Sequence, residues 1–429
     1  MTRPPASATP ARALRFGALH HRDYRRYVVT TLVSMIAENI EHVISYFVIF
    51  QAFPSPTLGG FAVISHWMPY LLFSVYSGAL ADRFDCRKLI LVSQGLFMLA
   101  SLSWGLLFLT GALRTWHAVV ILLIHGAAGV INGPAAQLIV HDIVGTERLH
   151  SAIRLNATAR YLATLLGPAV GGGLMVALGP ARGLLANVLI YLPLCIFLVR
   201  MPFTGHARED QPVAQAARFG LGDLARVLAE ARAEPRILTM ILLAGATSFF
   251  VGNAFQVQMP EYAHDLGADD AGGLYSMLLA ANAAGALVGA MLLESVSFVR
   301  PGVRFTIVCA AAWGVTMALF AMAGSYPLAV LLLALAGLFN IAYTSMAQTL
   351  VQLLAPPRLR GRIVGLFNTS MLGLRAGSGL TIGVLGAVID VHRSLALNAV
   401  VVALIALGLL VRDMRTRPGP RPAAWRDES

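Results

Sequence analysis

Long apolar runs dominate the chain, and short charged or proline-containing segments separate them. Thr57 to Ser77 and Leu89 to Leu113 contain no Asp, Glu, Lys or Arg, and each can cross a bilayer as a helix. Twelve such runs follow one another, approximately Tyr27–Phe53, Thr57–Ala81, Leu89–Leu113, Trp116–Val140, Ala152–Leu178, Gly183–Val199, Ile237–Met259, Leu274–Leu293, Phe305–Ala323, Leu328–Leu354, Ile363–Ile389 and Leu395–Val411. The pattern predicts an all-α membrane protein with twelve transmembrane helices.

The composition supports a membrane protein and argues against several kinds of chemistry. Of 429 residues, 57% are hydrophobic and only 12% are charged, and the mean hydropathy is +0.71. Soluble domains carry about twice that charged fraction. Lys88 is the only lysine, so no Gly-Lys-Ser/Thr phosphate loop exists, and no catalytic constellation stands out. Because Cys86, Cys195 and Cys309 are widely spaced, we expect no disulfide framework, no metal centre and no cofactor.

The net charge of +11 is distributed unevenly along the chain. Of the 32 basic residues, we place Arg114, Arg182 and Arg393 in outer loops and Arg160 and Arg375 inside helices. The others fall in segments on one face, which the positive-inside rule makes cytoplasmic. Both termini are therefore expected in the cytoplasm of a bacterial-type inner membrane. This charge orients the protein and does not require a nucleic-acid partner.

The chain is predicted to divide into two halves. Ala-Gly-Val-Ile-Asn at 128–132 has a counterpart, Ala-Gly-Leu-Phe-Asn, at 336–340, which indicates an internal duplication. Parallel six-helix repeats around a central site are typical of secondary transporters. The predicted segments are a cytoplasmic tail with an amphipathic helix (1–26), an N-terminal six-helix bundle (27–200), a polar cytoplasmic linker (201–236), a C-terminal bundle pseudo-symmetric to the first (237–411) and a cytoplasmic tail (412–429).

The charged turn between the second and third runs resembles a family motif. Gly78-x-x-x-Asp82-Arg83, with Arg87, is similar to the loop between helices two and three of the major facilitator superfamily. The chain departs from that pattern at Asp85, where the family usually has Gly, and at Cys86, where it has a basic residue. The amino-acid sequence of this loop most resembles that of the enterobactin-exporter-like and macrolide-efflux-like branch of the superfamily.

A second motif lies in the fifth run. Gly167-Pro168-x-x-Gly171-Gly172 resembles the fifth-helix antiporter motif of exporters in the same superfamily. Small residues let helix backbones approach closely, so ordinary packing explains the same sequence. The resemblance, together with the predicted topology, covers essentially the whole chain.

The resemblance implies a gating role for the charged loop. In the family's arrangement Asp82 would face the start of the eleventh helix, where a carboxylate is stabilised by about 0.3–1 kcal/mol. Arg83 or Arg87 could pair with Asp142 at the inner end of the fourth helix. The alternative is a solvated loop that only sets the orientation.

Ionisable residues inside the predicted helices are the candidates for proton coupling. Glu38, Glu41 and His42 share one face of the first helix, and Arg375 lies near the middle of the eleventh. Charged groups at mid-membrane are costly and usually face a cavity or a partner. A structural cluster is the alternative. Arg160, nearer the inner end of the fifth helix, could extend to the surface.

The resemblance also implies that helices one, four, seven and ten line a substrate cavity. Their polar and aromatic residues are Tyr46, His125, Asn132, Gln137, Asn253, Phe255, Gln256, Asn340, Tyr343 and Gln348. Such a lining suits a medium-sized amphiphilic molecule, although hydrogen bonds between helices explain several of these residues equally well.

The expected function is proton-coupled export of a drug-like or siderophore-like molecule by a monomer, with the proton gradient as energy source. A proton-linked importer of a small metabolite and a non-transporting membrane sensor are the alternatives.

Overall fold

The structure is a computed structural model that describes residues 17–53, 55–206, 229, 232–267, 272–295, 302–356 and 360–415. Most of the N-terminal tail, most of the linker and most of the C-terminal tail lie outside the described residues. A surface helix that the sequence predicts within the linker (221–233) also lies mostly outside them. Within the described part of the chain the regular structure is helical.

We number the long helices in chain order. They are α1 (Arg22–Ala52), α2 (Pro56–Arg83), α3 (Cys86–Leu109), α4 (Thr115–Gly145), α5 (Glu147–Leu178), α6 (Pro180–Arg200), α7 (Pro235–Val257), α8 (Gly273–Leu293), α9 (Val303–Ala321), α10 (Tyr326–Leu354), α11 (Ile363–Ile389) and α12 (Val391–Arg415).

Local sequence explains where several of these helices begin and end. Gly145, with φ of 71°, separates α4 from α5, and Gly179, with φ of 76°, separates α5 from α6. This left-handed region is open to glycine because it lacks a Cβ atom. At the start of α2, the Ser55 side chain accepts a hydrogen bond from the Leu58 amide, and Pro56 occupies the first turn.

The described helices confirm the all-α membrane class. Eleven of them are individually long and apolar enough to cross a membrane. The remaining helix, α2, is bent by 63° between its segments Pro56–Phe73 and Tyr76–Arg83, and the count reaches twelve if this pair is one span. Twelve spans, the two-bundle division and the orientation of the termini stay predictions.

The first six helices pack mainly on one another through α4, and the last six through α8 to α10 and α12. The two groups meet along α2 with α11 and along α5 with α8. A continuous cluster of buried apolar side chains runs through both groups.

Close backbone contact joins the two groups at the end that carries the α1–α2 turn. A Cβ atom on Gly60 of α2 would collide with the Gly379 carbonyl of α11 and with Gly383. Nearby, the Gln258 side chain donates to the Pro56 carbonyl at 2.9 Å, and the Tyr275 hydroxyl donates to the Val43 carbonyl at 3.1 Å. This end is therefore closed in the described conformation.

Substitution Gly60→Val should open this end, because its side chain cannot fit against the α11 backbone. The measurement uses a variant whose native cysteines are replaced by serine and which carries Gln258→Cys as a reporter, since Gln258 is buried in the described conformation. With Gly60→Val added, this cysteine should react several-fold faster with a membrane-impermeant maleimide than it does with Gly60 in place. Gly95→Val is the matched control, since a Cβ atom on Gly95 meets no atom within 4 Å. Equal labelling in the Gly60 and Gly95 variants would contradict the prediction.

Candidate transport site

Glu41 of α1 is the centre of a buried polar cluster. Its side chain is 2% exposed, and Nδ1 of His125 from α4 lies 2.8 Å from its Oε1. The Tyr191 hydroxyl of α6 donates to Oε2 at 3.4 Å. When the Glu41 carboxyl is ionised it can only accept, and His125 then donates through Nδ1. These two bonds tie α1 to α4 and α6.

Two further histidines surround His125. The ring centroids of His42 and His125 are 4.6 Å apart, those of His42 and His66 are 5.0 Å apart, and those of His66 and His125 are 5.4 Å apart. We call His42, His66 and His125 the histidine cluster. Its members come from α1, α2 and α4, so the fold assembles it from residues far apart in the chain.

Glu38 lies one turn before Glu41 on α1 but has different surroundings. It is half-buried, and it interacts electrostatically with His125, Arg160 and Glu41. Arg160 of α5 is exposed. The two glutamates therefore differ in access: Glu41 is sealed between helices, whereas Glu38 keeps an exposed fraction.

Arg375 lies where α11 departs from regular α-helix. The segments Thr369–Gly373 and Gly379–Val384 are π-helical, and Arg375 stands between them. Such segments are rare and frequently occur at functional sites. The guanidinium carbon of Arg375 is 4.8 Å from the ring centroid of Trp67 on α2, an arrangement of the cation–π type.

Arg375 also lines a polar cavity of about 60 Å³. The other lining residues come from α7 to α10, and they are Thr247, Ser248, Gly252, Asn253, Phe255, Gln256, Asn282, Trp313, Asn340 and Tyr343. The Tyr343 hydroxyl donates to Thr247 at 3.0 Å, and the Asn253 amide donates to Gln256 at 3.2 Å. At this volume the cavity fits only water-sized groups in the described conformation, but its lining of one cation, several amides and aromatic side chains is of the kind that contacts an amphiphilic molecule.

The structure separates the predicted cavity residues. Asn253, Phe255, Gln256, Asn340 and Tyr343 line the polar cavity together. The rest lie elsewhere: His125 beside Glu41, Tyr46 against His42, Asn132 and Gln348 half-buried on α4 and α10, and Gln137 exposed on α4.

Several residues of these sites were not selected from the sequence. His66, Trp67, Tyr191, Asn282 and Trp313 are the clearest examples. A signal existed for His66, since it is an ionisable residue inside an apolar run. For the other four, only the packing of separate helices shows their role.

The fifth-helix motif packs α5 against both groups of helices. A Cβ atom on Gly167 would collide with Asn39 of α1, and one on Gly171 would lie 3.4 Å from Val43. On the neighbouring face, a Cβ atom on Gly172 would lie 2.5 Å from the Ser276 Cβ of α8. Pro168 is buried within the helix. The motif thus adjoins the helix that carries Glu38 and Glu41.

The charged loop contacts the start of the linker. Arg87 forms an ion pair with Asp85 at 2.7 Å and donates to the Met201 carbonyl at 2.6 Å. The hydrogen bonds from Arg87 hold the pKa of Asp85 below its usual value. Asp142 accepts from the Gly205 amide at 2.9 Å.

The remaining residues of the loop motif are open to their surroundings. Asp82 and Arg83 are exposed at the end of α2, and Gly78 is half-buried, with space around it for a Cβ atom.

A second, smaller cavity of about 10 Å³ lies at the closed end. It is lined by Glu261 of the short helix Met259–Asp265 together with Tyr46, Phe50 and Gln258. Burial raises the pKa of Glu261 above its usual value, and the carboxylates of Asp265 and Asp390 add to the shift.

The fold is that of major facilitator transporters. A structure of the nucleoside transporter NupG superposes with a TM-score of 0.72 at 13% identity, covering 92% of this chain and 100% of the other. A bacterial homologue of the human lysosomal transporter Spinster, in an inward-facing and unoccupied conformation, gives 0.70 at 13% identity, covering 93% and 98%.

The sequence comparisons define the family. The model of the family described as "Transmembrane secretion effector" matches residues 14–421, so the chain belongs to this family. The enterobactin exporter EntS of Salmonella choleraesuis is 28% identical over 347 residues, 78% of each chain. That of Escherichia coli O1:K1 / APEC is 27% identical over 359 residues, 80% of this chain and 81% of the relative. The protein is a membrane transporter of the major facilitator superfamily and not an enzyme.

Substitution Glu41→Ala should destabilise the protein, because His125 and Tyr191 would lose a buried acceptor. One unsatisfied buried group costs about 1–3 kcal/mol. Thermal unfolding in detergent should show a clearly lower midpoint for Glu41→Ala than for Glu38→Ala, the matched control one turn away. The reverse order would contradict the assignment of Glu41 as the buried anchor.

Proposed function

We propose that this transporter exports an amphiphilic, neutral or anionic organic molecule of the siderophore class, and that proton movement drives the export. The observation that carries the proposal is the polar cavity lined by Arg375. A fixed guanidinium favours anionic or hydrogen-bonding groups and disfavours cations. The relatives named as enterobactin exporters support the direction of transport and the substrate class.

In the proposed cycle, two six-helix bundles (27–200 and 237–411) rock around the cavity, with twelve spans and both termini in the cytoplasm. The described conformation, closed at the α1–α2 end, then corresponds to the inward-facing state. Close approach of Gly60 to α11 supports this assignment, and so does Gly172 against Ser276. Export requires the opposite state, in which these contacts separate.

Among the candidate carriers, Glu38 fits proton exchange better than Glu41. A carrier must load and release its proton on opposite sides, so it needs access to the aqueous cavity in at least one state. Glu38 is half-buried, whereas Glu41 is sealed and bonded to His125 and Tyr191. We therefore assign the coupling to Glu38, with Glu41 holding the helices around it.

The first experiment measures uptake of enterobactin into inverted membrane vesicles or proteoliposomes with an acidic interior. Wild-type protein should accumulate the molecule, and Arg375→Gln should reduce accumulation at least about tenfold if a charge-assisted contact of about 1.5–3 kcal/mol is lost. Accumulation of cationic dyes instead, unaffected by Arg375→Gln, would favour a general drug exporter. Uptake that depends on the reversed gradient would favour the importer, and no flux of any substrate would favour a sensor.

Substitution Glu38→Gln should abolish accumulation driven by the pH gradient while leaving downhill exchange partly intact. The amide keeps the shape of the side chain but cannot carry the proton. Flux is measured with and without an imposed gradient, and Glu41→Gln, checked for folding, is the neighbouring control. If Glu38→Gln and the double Gln variant still concentrate the substrate, the coupling group lies elsewhere.

Substitution Asp82→Asn should preserve expression and membrane insertion yet slow transport strongly. In the proposed outward-facing state the Asp82 carboxylate faces the positively polarised start of α11. A neutral amide at this position would stabilise that state less. Transport rates at equal protein density test this, with Asp23→Asn at the start of α1 as a control. Full activity of Asp82→Asn would reduce the loop to an orientation signal.

A further inference from the structure

The histidine cluster has the chemistry of a transition-metal site. One nitrogen from each of His42, His66 and His125 can be chosen so that all three lie within 4.8 Å of one another. Imidazole nitrogens suit Zn²⁺, Ni²⁺, Cu²⁺ and Fe²⁺, and three histidines with an open fourth position are a known zinc arrangement.

Two ring nitrogens of the histidine cluster are buried without a hydrogen-bond partner among the described residues. Nε2 of His125 and Nδ1 of His66 are buried, and neither has a hydrogen-bond partner within the described part of the chain. His125 is only 5% exposed. An unpaired buried nitrogen is costly, so such atoms require an explanation. A bound cation would satisfy both.

The surroundings of His125 match those of a metal ligand. Its Nδ1 lies 2.8 Å from Oε1 of Glu41. With Glu41 ionised, this contact places the ring proton on Nδ1 and leaves the lone pair on Nε2. A carboxylate–histidine pair of this kind orients metal-bound histidines and raises their basicity.

Acidic and basic groups both lie near the histidine cluster. Glu41 contacts the cluster directly, and Glu38 interacts with His125 electrostatically. Arg375 opposes a cation, and its guanidinium stacks on Trp67, whose ring centroid is 4.8 Å from that of His66. Zn–N bonds are about 2.0–2.1 Å, so two nitrogens on a tetrahedral ion lie about 3.3–3.4 Å apart. Side-chain movements of up to about 1.5 Å would bring the three ligand atoms to that spacing.

We propose that His42, His66 and His125 bind a divalent transition-metal ion of the zinc class within the N-terminal helices, with Glu41 orienting His125. This site is separate from the polar cavity that Arg375 lines, and it does not depend on the substrate or the direction of transport. A metal ion here would join α1, α2 and α4 by three bonds and leave one position for water.

The test uses full-length protein in detergent with its affinity tag removed, stripped by a chelator and titrated with Co²⁺. Wild-type protein should bind one Co²⁺ per chain with visible d–d absorption, and Zn²⁺ should displace it. His42→Ala, His66→Ala and His125→Ala should each weaken binding by at least about 10- to 100-fold, the loss typical of a damaged metal shell.

The matched control is His117→Ala, a histidine in the first turn of α4, about two turns before His125 and outside the histidine cluster. It should leave Co²⁺ affinity unchanged. Gel filtration and thermal unfolding confirm that each variant is folded, and His66→Gln replaces His66→Ala if the latter aggregates. The proposal is overturned if wild-type protein shows no d–d absorption, or if the three ligand variants bind Co²⁺ as well as His117→Ala does.

Discussion

The hydrogen bond between His125 and Glu41 is the interaction on which the polar interior of the first six helices depends. A carboxylate buried among apolar helices is strongly unfavourable unless its oxygens are satisfied. His125 and Tyr191 provide that satisfaction, and in doing so they fix α1 against α4 and α6. With Glu41 ionised, the same bond places the ring proton of His125 on Nδ1 and leaves Nε2 with a free lone pair.

Small residues provide the complementary constraint. Helices in a membrane gain little from apolar contact with one another, since the lipid is equally apolar, so close packing and internal hydrogen bonds must hold them. Gly60 against α11 and Gly172 against α8 allow such contact between the two groups of helices. In the proposed cycle these contacts, which involve few side chains, separate and re-form.

The sites are arranged in a chain across the protein. Glu41 contacts His125, His125 and His42 contact His66, His66 contacts Trp67, and Trp67 carries the Arg375 guanidinium at the polar cavity. Ionisable groups of α1 are thus connected to the cavity between α7 and α10 through aromatic rings alone. A change of charge at one end alters the field at the other, because the interior has a low dielectric constant.

The sequence by itself determined the class of the protein. Apolar runs of bilayer length allow only helices, since every backbone group must be paired internally, and the family motifs in the α2–α3 loop and α5 indicated a transporter. It also selected Glu38, Glu41, His42 and Arg375 as unusual, because charge inside such runs is costly. Only the tertiary structure decided which groups meet: Glu41 with His125 and Tyr191, and Arg375 with Trp67. These contacts join residues from different helices, whose rotation and depth depend on packing that no local pattern encodes.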